Sequence, residues 1–183
     1  MTTTNQISPG MVLSIGNKLY RVESSVRVTV AKGTPFIKTK LKDMASGKVT
    51  EKNFKPTQSV QEVALEERTL EFLYLEGKSY LFLDLENLEQ VLVAPEVVGR
   101  SAHYLKEGVE LKGSLYGDQV FTIDLPQFLE LMVSQTEDGK GASANGTKTA
   151  ILETGARVEV PPFVETGDII KVDTKSDEYI QRV

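Results

Sequence analysis

The 183-residue chain contains no cysteine, no tryptophan and a single histidine, His103. Without thiols there is no disulfide, thiolate metal site, iron–sulfur cluster or cysteine nucleophile. One imidazole cannot form a two-histidine metal centre. Long apolar runs are also missing: Val91-Leu92-Val93-Ala94 is among the purest, far short of the ~20 residues that cross a bilayer. Met1 to Gly10 is polar, so no signal peptide is expected. What remains is ordinary globular composition, 40% hydrophobic and 26% charged, which excludes wholesale disorder. The expectation is a soluble cytoplasmic protein with no metal and no cofactor.

The net charge of −5 conceals a division along the chain. Residues 1–63 hold ten basic groups against four acidic ones; residues 64–127 hold five against twelve, and residues 128–183 six against ten. A polyanion repelled by the last two thirds is still attracted to the first, which favours one orientation of binding. A solvated lysine-rich sheet face gives the same arithmetic, so charge alone does not decide.

Short strands and turns fill the chain. Met11–Ile15 and Lys18–Val22 flank Gly16-Asn17, a two-residue hairpin signal. Glu23–Val30 and Phe36–Leu41 flank Ala31-Lys32-Gly33-Thr34-Pro35, and Val49–Phe54 follows as a fifth strand. In the Phe36 strand, Lys38, Lys40 and Lys42 share one face while Ile37, Thr39 and Leu41 take the other. The middle third is organised in the same way, with Thr69–Leu75 and Ser79–Asp84 as one strand pair and Glu110–Tyr116 and Gln119–Ile123 as another. Between these pairs, Ala94–Lys106 is the best helical stretch, shortened by Pro95 and Gly99. Phe128–Thr136, Thr149–Leu152, Ala156–Val160, Asp168–Val172 and Glu178–Arg182 complete the last third. The expected fold is all-β, as three small barrels at 1–63, 64–127 and 128–183, the last two of OB type.

Most candidate chemistry fails on context. Gly139-Lys140-Gly141-Ala142-Ser143-Ala144 has dinucleotide-loop spacing, but no helical pattern follows to receive a pyrophosphate. Gly108 and Gly113 have P-loop spacing, but Ser114-Leu115 stand where the lysine and hydroxyl are needed. His103, between Ala102 and Tyr104, has no nucleophile-elbow motif to serve and reads as a structural histidine. Glu66-Glu67 and the Asp84/Glu86 pair read as solvated faces. Tyr74, Tyr80 and Phe82 alternate as core residues do. No residue set marks an enzyme. Lys32 stands apart: it lies at a hairpin apex with Arg27, Lys38, Lys40 and Lys42 nearby, where a long flexible ammonium can enter an anionic site too narrow for the barrel. A merely solubilising lysine is the competing reading.

The residues Lys148-Thr149-Ala150, then Gly155-Ala156-Arg157-Val158-Glu159-Val160-Pro161-Pro162-Phe163-Val164-Glu165-Thr166-Gly167, resemble the C-terminal part of the bacterial elongation factor P family. Ile170-Lys171-Val172-Asp173-Thr174 and Ser176-Asp177-Glu178-Tyr179 continue the match. Phe72 to Gly77, Tyr80 to Asp84, and Lys32-Gly33 followed by Phe36, Lys40 and Leu41 extend it over the chain.

That resemblance implies an SH3-like (KOW-like) barrel followed by two OB barrels in an L-shaped, tRNA-like arrangement. It implies a monomer that binds the ribosome, its rRNA and the P-site tRNA, between the peptidyl-tRNA and exit sites. The implied activity is relief of stalling at consecutive prolines by promoting peptide-bond formation. Lys32, with Ala31, Gly33 and Thr34 around it, would approach the tRNA CCA end, in many members after extension by a lysine-modifying enzyme. Arg27, Lys38, Lys40 and Lys42 would hold rRNA or tRNA, and Tyr179 and Arg182 match a pair that contacts tRNA or ribosomal elements. Two departures stand out. Val30-Ala31 replaces the Pro-Gly that precedes the tip lysine in many members, and Gly141-Ala142-Ser143 lacks the acid of the family's Gly-Asp-Thr loop, implicated in contact near the mRNA. A tandem-barrel RNA binder and a paralogue with different stalling specificity are the alternative readings.

Overall fold

The computed structural model describes residues 2–137 and 146–183, and the Gly141-Ala142-Ser143 loop lies outside them. Strands dominate. β1 (Thr2–Thr3), β2 (Val12–Ile15), β3 (Lys18–Val28), β4 (Phe36–Asp43), β5 (Val49–Phe54) and β6 (Ser59–Glu62) form one sheet ordered β1-β6-β2-β3-β4-β5. β7 (Glu66–Glu76), β8 (Ser79–Asp84), β9 (Gln90–Val93), β10 (Glu110–Tyr116) and β11 (Gln119–Asp124) form a second, ordered β11-β10-β7-β8-β9. β12 (Phe128–Thr136), β13 (Lys148–Leu152), β14 (Arg157–Val160), β15 (Ile169–Asp173) and β16 (Glu178–Arg182) form the third, ordered β14-β13-β12-β15-β16. The backbone packs as two compact units, residues 1–67 with 114–122, and residues 68–113 with 123–183.

The first sheet follows from its sequence. Gly16 and Asn17 both adopt positive φ, 57° and 65°, as the tightest hairpin turn between right-twisted strands requires. Leu13, Val22, Ile37, Leu41, Phe54 and Val60 form its core, with Ile7 beneath them. Thr39 is buried in the apolar row of β4 and donates its hydroxyl to the Lys52 carbonyl at 2.7 Å, which removes the desolvation cost of its position. β1 and β6, which strand patterning does not mark, pair Thr2 with Val60 and Thr3 with Ser59.

In the middle segment one expectation is met and one changes. The helical stretch is a single α turn, α1 (Pro95–Val98), followed by 3-10 helix over Gly99–Tyr104. Gly99 takes φ 51°, and that left-handed residue stops α1 from propagating. Within β7, the register to β8 slips between Phe72 and Tyr74, so Phe72 faces Phe82 but Tyr74 faces Leu81. A one-residue bulge inverts the side-chain phase, and Tyr74 is 56% exposed while Phe82 is buried. Tyr74 is therefore not a core residue. Phe72 instead anchors an aromatic cluster, 5.3 Å from Phe82 and 5.9 Å from Tyr80 between ring centroids.

Tyr104, at the end of the 3-10 segment, is buried with Leu131, Val133, Leu152, Val158, Val164 and Ile170. Its hydroxyl donates to Asp177 Oδ1, and Arg100 Nη2 binds Asp177 Oδ2 at 2.6 Å. Burial first, and the Asp177 carboxylate second, push the Tyr104 phenol above its ordinary value of 10.0. A raised phenol contributes its full stability below the unfolded value and loses it as the pH climbs beyond, because the unfolded chain then ionises first. Wild-type stability should decline from pH 10 upward. Tyr104→Phe should lower stability at pH 8 by about 1–3 kcal/mol, through the lost bond to a charged acceptor, yet show a shallower alkaline decline. Urea midpoints of both proteins at pH 8 and 10.5 check this.

Candidate nucleic-acid interface

The Lys32 hairpin is built by β3 and β4, which pair continuously to Val28 opposite Phe36 apart from one bulge between Val22 and Ser24. Residues 29–35 form its tip, and Ala31, Lys32, Gly33 and Thr34 are all exposed. Lys32 makes no hydrogen bond or ion pair among the described residues. Gly33 leaves room for its neighbour: a Cβ there would stand 2.8 Å from Val30 Cγ2, so the Val30 side chain would have to shift. The Val30 side chain thus occupies the space above Gly33, and Val30 is one of the two residues that replace the usual Pro-Gly.

Below the tip, β4 carries the basic row. Lys38, Lys40 and Lys42 are exposed while Ile37, Thr39 and Leu41 are buried. Alternate residues on a strand lie about 7 Å apart, so the three amines form an evenly spaced ladder. Their strand neighbours are short or uncharged for the most part: Val26 and Asn53 flank Lys38, Ser24 and Glu51 flank Lys40, and Arg21 and Val49 flank Lys42. None of the three lysines forms an ion pair among the described residues. Asp43, at the end of the row, is occupied elsewhere. Its carboxylate accepts the backbone N–H groups of Ala45 and Ser46 and faces Lys18 at 3.8 Å. The Ala45 bond above all holds it below the usual carboxylate range.

Arg27 does not join this ladder. It pairs with Ile37, and directly opposed residues share a face, so it lies on the side opposite Lys38. Its Nη1 donates to Asn5 Oδ1 at 2.9 Å. Tyr179 and Arg182, three residues apart, belong on opposite sides of a regular strand. A slip in the β15–β16 register places Tyr179 beside Val172 and Arg182 beside Ile170, so the bulge at Ile180 brings both to one side. Tyr179 packs against the third core. Arg182 lies 5.0 Å above the Phe163 ring and 3.7 Å from Asp168 Oδ2. Residue alternation shows neither the opposed face of Arg27 nor the shared face of Tyr179 and Arg182, because bulges carry no residue signature in these strands.

His103 is exposed rather than packed inside. It borders a cleft with Arg100, Tyr104, Gly155, Ala156, Arg157 and Asp177. Among the described residues no group of acidic and imidazole side chains is arranged to hold a metal ion, and no helix is long and apolar enough to cross a membrane.

Three family models cover the chain: the elongation factor P KOW-like domain at residues 3–60, the elongation factor P OB domain at 65–123, and the elongation factor P C-terminal domain at 129–182. The chain is 65% identical to elongation factor P 1 of Protochlamydia amoebophila, with both chains covered completely. It is 49% identical to elongation factor P 1 of Chlamydia pneumoniae, again over both full lengths. The elongation factor P of a Prochlorococcus marinus strain is 40% identical, over all of this chain and 99% of the relative. Among solved structures, eukaryotic translation initiation factor 5A from Methanococcus jannaschii superposes with a TM-score of 0.53 at 18% identity, covering 68% of this chain and 93% of that one. That likeness concerns the fold.

Proposed function

The chain belongs to the elongation factor P family, and on that premise we propose that it binds the ribosome between the peptidyl-tRNA and exit sites and speeds peptide-bond formation at consecutive prolines. The observation that carries this reading is the hairpin: an exposed Lys32 without a partner among the described residues, above a ladder of three unpaired lysines. The ladder holds phosphates without reading sequence. Lys32 brings a mobile cation to the CCA end of the P-site tRNA. The protein acts as a cytoplasmic monomer and performs no bond chemistry itself. It restricts the tRNA acceptor end to reactive orientations, an effect worth up to ~7–11 kcal/mol in ideal cases. The exposed Lys32 is also open to a modifying enzyme. The three family-model ranges support domains at 1–63, 64–127 and 128–183.

The test is direct. Purified full chain is added to reconstituted translation lacking any such factor, with one template encoding Pro-Pro-Pro and one without proline pairs. Faster synthesis from the first template alone is the expected outcome; equal rates on both with and without the protein sink the proposal. The Val30-Ala31 substitution favours a second reading, a paralogue tuned to other stalls, and a panel of stalling templates separates the two.

A further inference from the structure

The pairing of β3 with β4 ends at Val28 opposite Phe36, and the chain beyond it turns at Ala31 and Lys32. Val30 and Gly33 are the two ends of that turn, and no well-formed hydrogen bond joins them. Open turns of this kind are common, but something else must then set their shape. On the return limb, Pro35 has a fixed φ and biases Thr34 towards extended backbone. Across the turn itself the contact is a side chain. Val30 Cγ2 stands 2.8 Å from the place a Cβ of Gly33 would take. Gly33 does not hold a positive φ, so backbone conformation does not demand glycine there. The space above it is what the Val30 methyl uses. Val30 is branched at Cβ, which restricts its χ1, and it is 42% exposed although it lies at the tip of a hairpin.

We infer that Val30 is a positioning residue for Lys32: seated on Gly33, it closes the turn and fixes the direction in which Ala31 and Lys32 project. The inference rests on the reading that Lys32 acts at the tRNA acceptor end. A cation orders that end only while it points there. A tip free to sample other directions is competent for a fraction of the time, and its effect falls by that fraction. The strut has one vulnerable point on each side. Shortening Val30 to alanine removes the methyl that reaches across. Adding a methyl at Gly33 drives the Val30 side chain off its seat. The two changes are compatible with each other, because a Cβ at position 33 would lie 3.8 Å from the Val30 Cβ, an ordinary van der Waals contact.

The experiment is a double-mutant cycle on the full chain. Wild type, Val30→Ala, Gly33→Ala, the Val30→Ala/Gly33→Ala double variant and Lys32→Ala are compared in reconstituted translation of a Pro-Pro-Pro template. Both the maximal rate and the protein concentration giving half of it are measured. Val30→Ala and Gly33→Ala should each slow the maximal rate about three- to fourfold, the worth of one methyl contact. The half-saturating concentration should stay as in wild type, since the lysines of β4 are untouched. The double variant should be no slower than Val30→Ala alone, because with the strut gone a methyl at position 33 displaces nothing. In the free protein, the NMR order parameter of the Lys32 amide should fall in Val30→Ala. Losses that multiply in the double variant, a single variant at the wild-type rate, a shift in half-saturation alone or an unchanged order parameter would each overturn the strut. If Lys32→Ala slows synthesis while the valine and glycine variants do not, only the strut is wrong. If Lys32→Ala is as fast as wild type, the reading of Lys32 fails and the strut's role with it.

Discussion

Lys32→Ala should leave the fold intact and abolish most of the acceleration at Pro-Pro-Pro. Lys32 is exposed and makes no hydrogen bond or ion pair among the described residues, and such surface changes usually move stability by no more than ~0.5 kcal/mol. Activity is another matter. If the tip cation and the order it imposes supply even a few kcal/mol of orientation, its loss slows the step at least tenfold, since each ~1.4 kcal/mol is a factor of ten. Ribosome binding should change much less, because the ladder on β4 remains. The measurement is the rate of Pro-Pro-Pro synthesis in reconstituted translation with saturating protein, beside a binding titration with ribosomes. An unchanged rate would show that the amine is a solubilising group and nothing more. A lost rate accompanied by lost binding would show that Lys32 is an anchor instead.

Replacing Lys38, Lys40 and Lys42 together by glutamine should have the reverse profile. Affinity for the ribosome should drop steeply at moderate salt, while the maximal rate at saturation stays close to wild type. Each phosphate neutralised contributes roughly 0.7–0.9 to the salt slope, so three lost contacts flatten it by about two to three. The side chains are exposed, and the buried Ile37, Thr39 and Leu41 on the other face are untouched, so folding is not at issue. Equal salt slopes for the variant and the wild type would refute the ladder as a phosphate contact. The two experiments together divide the hairpin into a part that acts and a part that holds.

Much of this arrangement can be read in the residues. The period-two alternation of β4 predicts its basic and buried faces, and Val49–Phe54, Ser79–Asp84, Glu110–Tyr116, Phe128–Thr136 and Glu178–Arg182 are strands over those bounds. What residue alternation leaves unseen has several causes. Tyr74, Tyr179 and Arg182 lie beside bulges, where one extra residue reverses every later side chain. The break in the His103 segment at Gly99 is legible, since glycine takes a positive φ without penalty, but the exposure of His103 is not. The position of Arg27 depends on which residue of β4 it opposes, a long-range fact. The cleft around Arg157 is farther still from a local signal. Its lining comes from the 3-10 segment, the turn before β14 and the turn before β16, with more than 70 residues between Arg100 and Asp177.

The strand order of the first sheet also sets a schedule for the molecule's own synthesis. The Lys32 hairpin is a local structure, so it can form as soon as β4 has emerged. Its sheet, however, is finished by β6, which slots between β2 and β1; Val60 must find Thr2, 58 positions earlier in the chain. Closing so wide a loop is slow relative to turning a hairpin. A nascent chain halted before Ser59 would expose the open edge of β2, a template for pairing with other chains. An elongation factor P thus has a stretch in its own birth where a pause would be most hazardous.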